Sequence, residues 1–259
     1  MNRRPPLVLA IPAAIAVGLL VLPLVALLQR APWSSLLDLL TTSTVAEAMR
    51  LSLVVSLVAT TIGVALGLPL AWLLARVEFP GRAVVRALVL LPMVLPPVVG
   101  GTALLFALGR RGLAGQWLDR WFGLTLPFST TGAVIAATFV AMPFFVLTVE
   151  AAIRQSDAGL EDAAATLGAT PMAVFRRVTL PLVAPSIAAG AALTWARALG
   201  EFGATVAFAG NVPGRTQTLP LATFLALESN PDEAIALSLV LLAVSLVVLV
   251  SLRRHWVLR

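Results

Sequence analysis

Long apolar runs separated by short polar segments dominate this chain. Each run is about 20 residues long, which is the length of helix that crosses the hydrocarbon core of a bilayer. The pattern therefore predicts an all-α, polytopic membrane protein with six transmembrane helices. The six runs cover residues 7–28, 48–75, 87–108, 131–152, 182–209 and 233–252.

Composition excludes several kinds of site. The chain has 259 residues, 59% of them hydrophobic, and no cysteine, which rules out disulfides and thiolate chemistry. All 18 basic residues are arginine, so a GxxxxGK[ST] nucleotide-binding loop cannot exist. The lone histidine is His255 and no aspartate falls in a predicted span, so an intramembrane protease is excluded as well. We expect no enzyme activity, cofactor or metal on this chain.

The arginines are unevenly distributed between alternate loops. With a cytoplasmic N-terminus, the inner segments hold 11 arginines and the outer segments hold 6, while Arg197 lies within a span. The positive-inside rule then predicts that both termini and the 153–181 loop are cytoplasmic. The net charge of +6 is thus explained by membrane topology, and we expect no nucleic-acid partner.

The third run is interrupted by residues that break helices. Pro92, Pro96, Pro97, Gly100 and Gly101 lie within it, and each proline removes a backbone donor and clashes with the preceding turn. Irregular backbone at membrane depth survives only where protein or a water-filled cavity satisfies it. We expect this span to line a pathway, with Pro96, Pro97 and Gly100 as its candidate residues.

A polar stretch at 160–181 separates the fourth and fifth runs. Leu160, Ala163, Ala164 and Leu167 share one face of a short predicted helix, and Gly168 can end that helix because glycine tolerates the left-handed conformation.

A second short helix is predicted to follow at once. Thr170 before Pro171 is typical of a helix cap with proline at the first helical position. Phe175 is then expected to project as an apolar anchor beside Arg176 and Arg177. The helix-turn-helix has the form of a docking element for another protein, although an ordinary amphipathic loop would show a similar pattern.

The same stretch resembles the EAA loop of bacterial ABC-importer permeases. Asp162-Ala163-Ala164, Gly168 and Leu180-Pro181 carry the resemblance, which implies a coupling helix at 157–181 that sits in a cleft of a cytoplasmic ATPase. Asp162 replaces the glutamate of the family and Glu161 stands beside it, so the acid that makes the family's contact is left open. The candidate coupling residues are Glu161, Asp162, Ala163, Ala164, Gly168, Phe175, Leu180 and Pro181.

Two charges lie within the fifth run. Arg197 and Glu201 are four residues apart and can pair on one helix face, and charges inside a span face the bundle or a cavity. In one interpretation Arg197 attracts an anion, while Gly200 and Gly203 let helices of two protomers approach. In the other, the pair is a structural clamp and the glycines are ordinary small-residue packing. Glu201 would repel an anion and is not expected to bind one.

A second resemblance covers nearly the whole chain beyond the first span. The runs at 95–101, 141–144, 198–205 and 209–222 are similar to permease subunits of molybdate importers. Sulfate and thiosulfate permeases share the Gly-Glu-Phe-Gly element at 200–203 and remain an alternative. The resemblance implies a type I ABC importer fold in the bacterial cytoplasmic membrane. It also implies an extracytoplasmic oxyanion-binding protein and two ATPase subunits that hold the ATP and Mg²⁺.

The resemblance also suggests a domain organisation and an assembly. Residues 1–44 form the first helix and its outer connector, 45–253 the type-1 permease core, and 254–259 a cytoplasmic tail. One coupling loop supplies one wall of a pathway, so we expect a homodimer with the pore on its two-fold axis. An ion-coupled secondary transporter is the alternative from another class, and a non-transporting scaffold is the third.

Overall fold

The computed structural model describes residues 6–256, and these residues form helices joined by short connections. The helices are α1 (Leu7–Gln29), α2 (Leu36–Leu40), α3 (Ser43–Arg76), α4 (Arg82–Val94), α5 (Pro97–Leu108), α6 (Gly115–Phe122), α7 (Thr130–Gln155), α8 (Ala158–Thr166), α9 (Pro171–Val174), α10 (Leu180–Leu199), α11 (Gly203–Ala209), α12 (Leu219–Ser229) and α13 (Pro231–Trp256). A π-helical turn, Phe175–Thr179, joins α9 to α10. The predicted all-α class is confirmed.

Within residues 6–256, four helices are long and apolar enough to cross a membrane. They are α1, α3, α7 and the continuous segment Pro171–Leu199. The pair α4 and α5 adds a fifth span if it is counted as one, although its two axes are bent by 119°. The last predicted run corresponds to α13. Six spans and cytoplasmic termini remain predictions, as do the domain boundaries, and residues 257–259 of the predicted tail lie outside the described part of the chain.

The centre of the bundle is formed by α3, α7 and α10, which pack against one another. Phe145 of α7 is fully buried between two glycines. A Cβ built on Gly67 would lie 2.7 Å from its ring, and one on Gly190 would lie 3.3 Å away. Small residues let helices approach closely where lipid offers no hydrophobic driving force between them.

The first helix lies at the edge of this bundle. No part of its apolar window is buried, and Val8 and Leu19 are 82% and 74% exposed. Its main neighbour is α13. An exposed apolar surface around an entire helix is suited to lipid, which agrees with a membrane span.

The fifth predicted span, 182–209, is wrong at both ends. The helix begins at Pro171 and runs through the π-helical turn to Leu199. The helix ends there, and a new helix, α11, begins at Gly203. The short apolar helix α12 was also missing from the prediction, because turn residues at 210–218 conceal where the next helix begins.

Candidate functional site

The segment between α7 and α10 folds as the predicted helix-turn-helix. Asp157 Oδ1 accepts a hydrogen bond of 2.9 Å from the Gly159 backbone N–H and caps α8. Gly168 has a φ of +85°, in the left-handed region. Thr170 Oγ1 then accepts from the Ala173 N–H at 3.3 Å, so α9 begins with Pro171 at its first position. We call residues 157–174 the coupling element.

The coupling element is joined to the next span without a break in the helix. From α9 the chain continues through the π-helical turn into α10 without a break, so that Pro171–Leu199 is one helix of 29 residues. Leu180 and Pro181 are therefore its interior residues, partly buried and exposed respectively.

Glu161 anchors the coupling element to the bundle. Its carboxylate receives two hydrogen bonds from Arg76 of α3, at 3.0 and 3.1 Å, and one of 2.9 Å from Thr179 Oγ1. The Arg76 and Glu161 side chains are only 17% and 15% exposed, so the ion pair is largely shielded from water. Asp162 is exposed. The two neighbouring acids thus differ in position: Glu161 faces inward and Asp162 faces outward.

The outward face of the coupling element carries several exposed apolar side chains. Leu167 is 89% exposed, Met172 is 65% exposed and Leu160 is 48% exposed. Ala163 is exposed and Ala164 is partly buried, so small side chains separate the projecting ones. Such a surface can enter a cleft of another protein.

The predicted projecting position of Phe175 is wrong. Its ring packs edge-on against Trp72 of α3, with centroids 6.1 Å apart and planes at 78°. Phe175 is the first residue of the π-helical turn, and Leu167, 89% exposed, projects from the coupling element instead. Arg76, Trp72 and Thr179 were absent from the sequence-based site, since Arg76 lies 85 residues from Glu161 in the chain.

Two helix breaks lie close to each other, away from the coupling element. The first lies between α4 and α5, where Leu95 and Pro96 are extended. The second lies between α10 and α11. A Cβ built on Gly203 would lie 2.7 Å from the Pro97 Cβ. Gly203 therefore permits a close approach of two helices within one chain, which favours the interpretation of this glycine as ordinary small-residue packing.

The other candidate pathway residues differ in exposure. Pro96, Pro97 and Gly200 are exposed. Gly100 is buried, and a Cβ at that position would lie 3.2 Å from the Phe139 ring. The open surface at the breaks is thus formed by the two prolines and Gly200, whereas Gly100 packs inside.

Arg197 and Glu201 lie at the second break. Arg197 Nη2 is 2.6 Å from Glu201 Oε2, although its N–H is not aimed at that oxygen, which receives no hydrogen bond. Glu201 Oε1 accepts a 2.8 Å bond from the Ala204 N–H and caps α11. The pair therefore does not share one helix face as predicted, since α10 ends at Leu199.

The two members of the pair have different surroundings. Glu201 is 3% exposed, and its role as a cap explains why a carboxylate is buried there. The Arg197 side chain is 26% exposed. Arg197 is accordingly the member of the pair that an anion could approach.

A further ion pair holds the amphipathic helix α6, at the end of the bundle opposite the coupling element. Arg110 Nε donates to Asp119 Oδ2 at 2.9 Å, and Thr125 Oγ1 lies 3.3 Å from Asp119 Oδ1. The hydrogen bond from Arg110 lowers the pKa of the Asp119 carboxyl and raises the pKa of the guanidinium. Asp119 is therefore ionised at neutral pH and fixes α6 beside the end of α5.

Comparison with known proteins gives the architecture a family. The family described as "Binding-protein-dependent transport system inner membrane component" matches residues 63–258. The molybdenum transport system permease protein ModB of Mycobacterium tuberculosis is 46% identical over 243 residues, 93% of this chain and 91% of that protein. The sulfate transport system permease protein CysT of Salmonella typhimurium is 37% identical over 238 residues, 90% and 86% of the two chains.

Solved structures show the same fold. Two crystal structures of a bacterial alginate ABC transporter give TM-scores of 0.78 and 0.75, at 19% and 21% identity. Each match covers 95% of this chain, and 93% or 92% of the other. The predicted type I ABC importer fold and the multi-pass inner-membrane location are confirmed. The chain belongs to the family of inner-membrane permease components of binding-protein-dependent transport systems.

Proposed function

We propose that this chain is the permease of an ATP-driven importer whose substrate is molybdate. The observation that carries the proposal is the 46% identity to the mycobacterial molybdenum permease over 93% of the chain. A 243-residue match within 259 residues necessarily includes the coupling element and both helix breaks. Sulfate is the second candidate, because the sulfate permease shares 37% identity over 90% of the chain.

Uptake into reconstituted vesicles tests the substrate. Vesicles would contain the permease, its ATPase and its binding protein, and labelled molybdate would be added with and without excess sulfate. We expect uptake that requires ATP and that sulfate does not reduce. ATP-dependent sulfate uptake without molybdate uptake would assign the chain to sulfate transport instead.

In the proposed mechanism the coupling element docks on a cytoplasmic ATPase. The arginines at this end of the bundle support a cytoplasmic position through the positive-inside rule. Leu160, Leu167 and Met172 supply the exposed apolar contacts. ATP and Mg²⁺ would bind to the ATPase and not to this chain. Because Pro171–Leu199 is continuous, closure of the ATPases would tilt α10 and move the break at its far end.

Gly168→Trp tests this contact. An indole at Gly168 would strain a φ of +85° and enlarge the turn between α8 and α9. We expect loss of co-purification with the ATPase. Gly123→Trp is the matched control, because Gly123 also has a positive φ, of +63°, and open space around it, but lies at the C-terminal end of α6. Equal ATPase binding by both variants would contradict the docking role.

The proposed transporter contains two copies of this chain. One chain supplies one coupling element and one exposed surface at the breaks, and two are needed to enclose a pathway. An extracytoplasmic binding protein is expected at the opposite face, and one alginate transporter structure contains a periplasmic protein of that kind. The native mass of the complex in mild detergent should include two protomers of 27.1 kDa.

Arg197 would supply positive potential to the anion pathway. Its side chain is partly exposed beside the two breaks, and charges within membrane segments face cavities or partners. We expect Arg197→Gln to lower molybdate uptake at least tenfold while the complex still assembles. Normal uptake by this variant would remove Arg197 from the mechanism and leave only a clamping role.

A further inference from the structure

Three arginines converge on a cleft between α4 and α7, at the end of the bundle that carries the coupling element. The cleft has a volume of about 350 Å³ and is lined by Arg82, Ala83, Arg86, Ala87, Leu90 and Arg154. Neither the helix breaks nor the exposed face of the coupling element contributes to it.

Two of these arginines are oriented by the same backbone carbonyl. Arg82 Nε donates to the Leu74 oxygen at 3.0 Å, and Arg154 Nη2 donates to it at 3.1 Å. A guanidinium carries five N–H donors, so both side chains are fixed in place and still have donors to spare. The arrangement is preorganised before any ligand binds.

The positive charge of the cleft is only partly neutralised. Glu150, 1% exposed, forms ion pairs with Arg86 and Arg154, and among the described residues it is the one carboxylate paired with the arginines of the cleft. Its Oε1 accepts from Arg154 Nε at 3.0 Å and lies 3.4 Å from Arg86 Nη2, while its buried Oε2 has no partner. The three arginines of the cleft are thus offset by one carboxylate, which contacts two of them, and an excess of positive charge remains.

Arg86 is the most available of the three. Its side chain is 43% exposed, and it donates no hydrogen bond to any residue in the part of the chain described. Because its guanidinium is held by charge attraction alone, Arg86 can turn towards an anion at the mouth of the cleft.

The other half of the lining is apolar. Ala83, Ala87 and Leu90 follow one another at helical spacing along α4, and Leu90 lies beyond the last arginine of that helix. Val84 and Leu88, on the same helix, are 62% and 60% exposed. A small inorganic anion would leave this apolar strip unused, whereas a phosphate ester with a hydrocarbon tail would use both halves.

We propose that this cleft binds the phosphate headgroup of an anionic phospholipid, with the acyl chain beside Ala87 and Leu90. Basic pockets between transmembrane helices at an arginine-rich membrane face are suited to such headgroups. The bound phosphate bridges Arg86 of α4 and Arg154 of α7. It thereby fixes the helix that leads to the first break.

Lipid retention by the purified full-length chain tests this site. The protein would be equilibrated in nanodiscs of phosphatidylcholine with a minor fraction of phosphatidylglycerol, released into mild detergent, and analysed by native mass spectrometry. We expect one phosphatidylglycerol per protomer to be retained. Arg86→Gln should lower that retention roughly tenfold, the loss expected for one charge-assisted hydrogen-bonding group.

Arg176→Gln is the matched control, because Arg176 is exposed at the same end of the bundle but outside the cleft. It should change retention less than twofold. Equal losses in both variants would show only general attraction to an anionic surface and would overturn the proposal. Displacement of the lipid by millimolar inorganic phosphate would overturn it too, since the cleft would then be a free-oxyanion site. Thermal unfolding of each variant checks that Arg86→Gln folds.

Discussion

Glu161 and Asp162 are chemically similar neighbours with different roles. Glu161 is bound by Arg76 and Thr179, whereas Asp162 is exposed. A carboxylate that receives charge-assisted hydrogen bonds in a shielded site is costly to remove, because its cationic partner is left desolvated. The local sequence cannot distinguish the two acids, because Arg76, which binds Glu161, belongs to the distant helix α3.

Glu161→Gln should destabilise the protein, while Asp162→Asn should not. Loss of the ion pair with Arg76 is expected to lower the free energy of unfolding by about 1–3 kcal/mol, and an exposed substitution by less than about 0.5 kcal/mol. Thermal unfolding in detergent and proteolysis at α8 measure the two effects. Similar unfolding of both variants would show that the Arg76 pair does not hold the coupling element.

At the scale of elements, the two helix breaks form one unit. The α4–α5 bend exposes Pro96 and Pro97, and α11 packs against α5 just beyond it. A Cβ built on Gly101 would lie 2.6 Å from the Ala204 carbonyl oxygen, which is backbone and cannot rotate away. The irregular backbone of the α4–α5 break is thus supported by α11, the helix that follows the second break.

Gly101→Ala should separate these helices. Overpacking in a tight contact typically costs about 1–3 kcal/mol, so we expect a lower unfolding temperature together with reduced uptake. Gly18→Ala is the control, because a Cβ on Gly18 of α1 meets nothing within 4 Å. An unchanged unfolding temperature of Gly101→Ala would mean that α5 and α11 can move apart without a loss of stability.

At the scale of the whole molecule, the ends of the bundle differ in charge and shape. One end carries the coupling element and the arginine-lined cleft. The other carries α6 and the loop at 210–218, where Thr130 Oγ1 donates to the Arg215 carbonyl oxygen. The membrane orientation of these ends is predicted by the arginine distribution, and it can be measured directly.

Single cysteines can report this orientation, because the chain has no cysteine of its own. Leu167→Cys and Val212→Cys place thiols at positions that are 89% and 42% exposed. A membrane-impermeant maleimide added to intact spheroplasts should label Val212→Cys, and should label Leu167→Cys only after the membrane is permeabilised. The reverse pattern would place the coupling element outside the cell and contradict ATPase docking.

The amino-acid sequence alone determined the local features of this protein. Apolar run length predicted the long helices α1, α3 and α7, because a bilayer imposes that length whatever the neighbours are, but it missed both ends of the fifth run. The glycine at 168 and the threonine-proline pair at 170–171 predicted the turn of the coupling element, since backbone conformation at such residues depends mainly on their own chemistry.

Only the tertiary structure decided which distant groups meet. It paired Glu161 with Arg76, turned Phe175 onto Trp72, and converted Glu201 from a residue within a span into the cap of α11. It also gathered Arg82 and Arg86 of α4 and Arg154 of α7 around one cleft. Apart from the local Glu201 cap, these contacts join positions tens of residues apart, and helical periodicity contains no information about which faces of different helices will pack together.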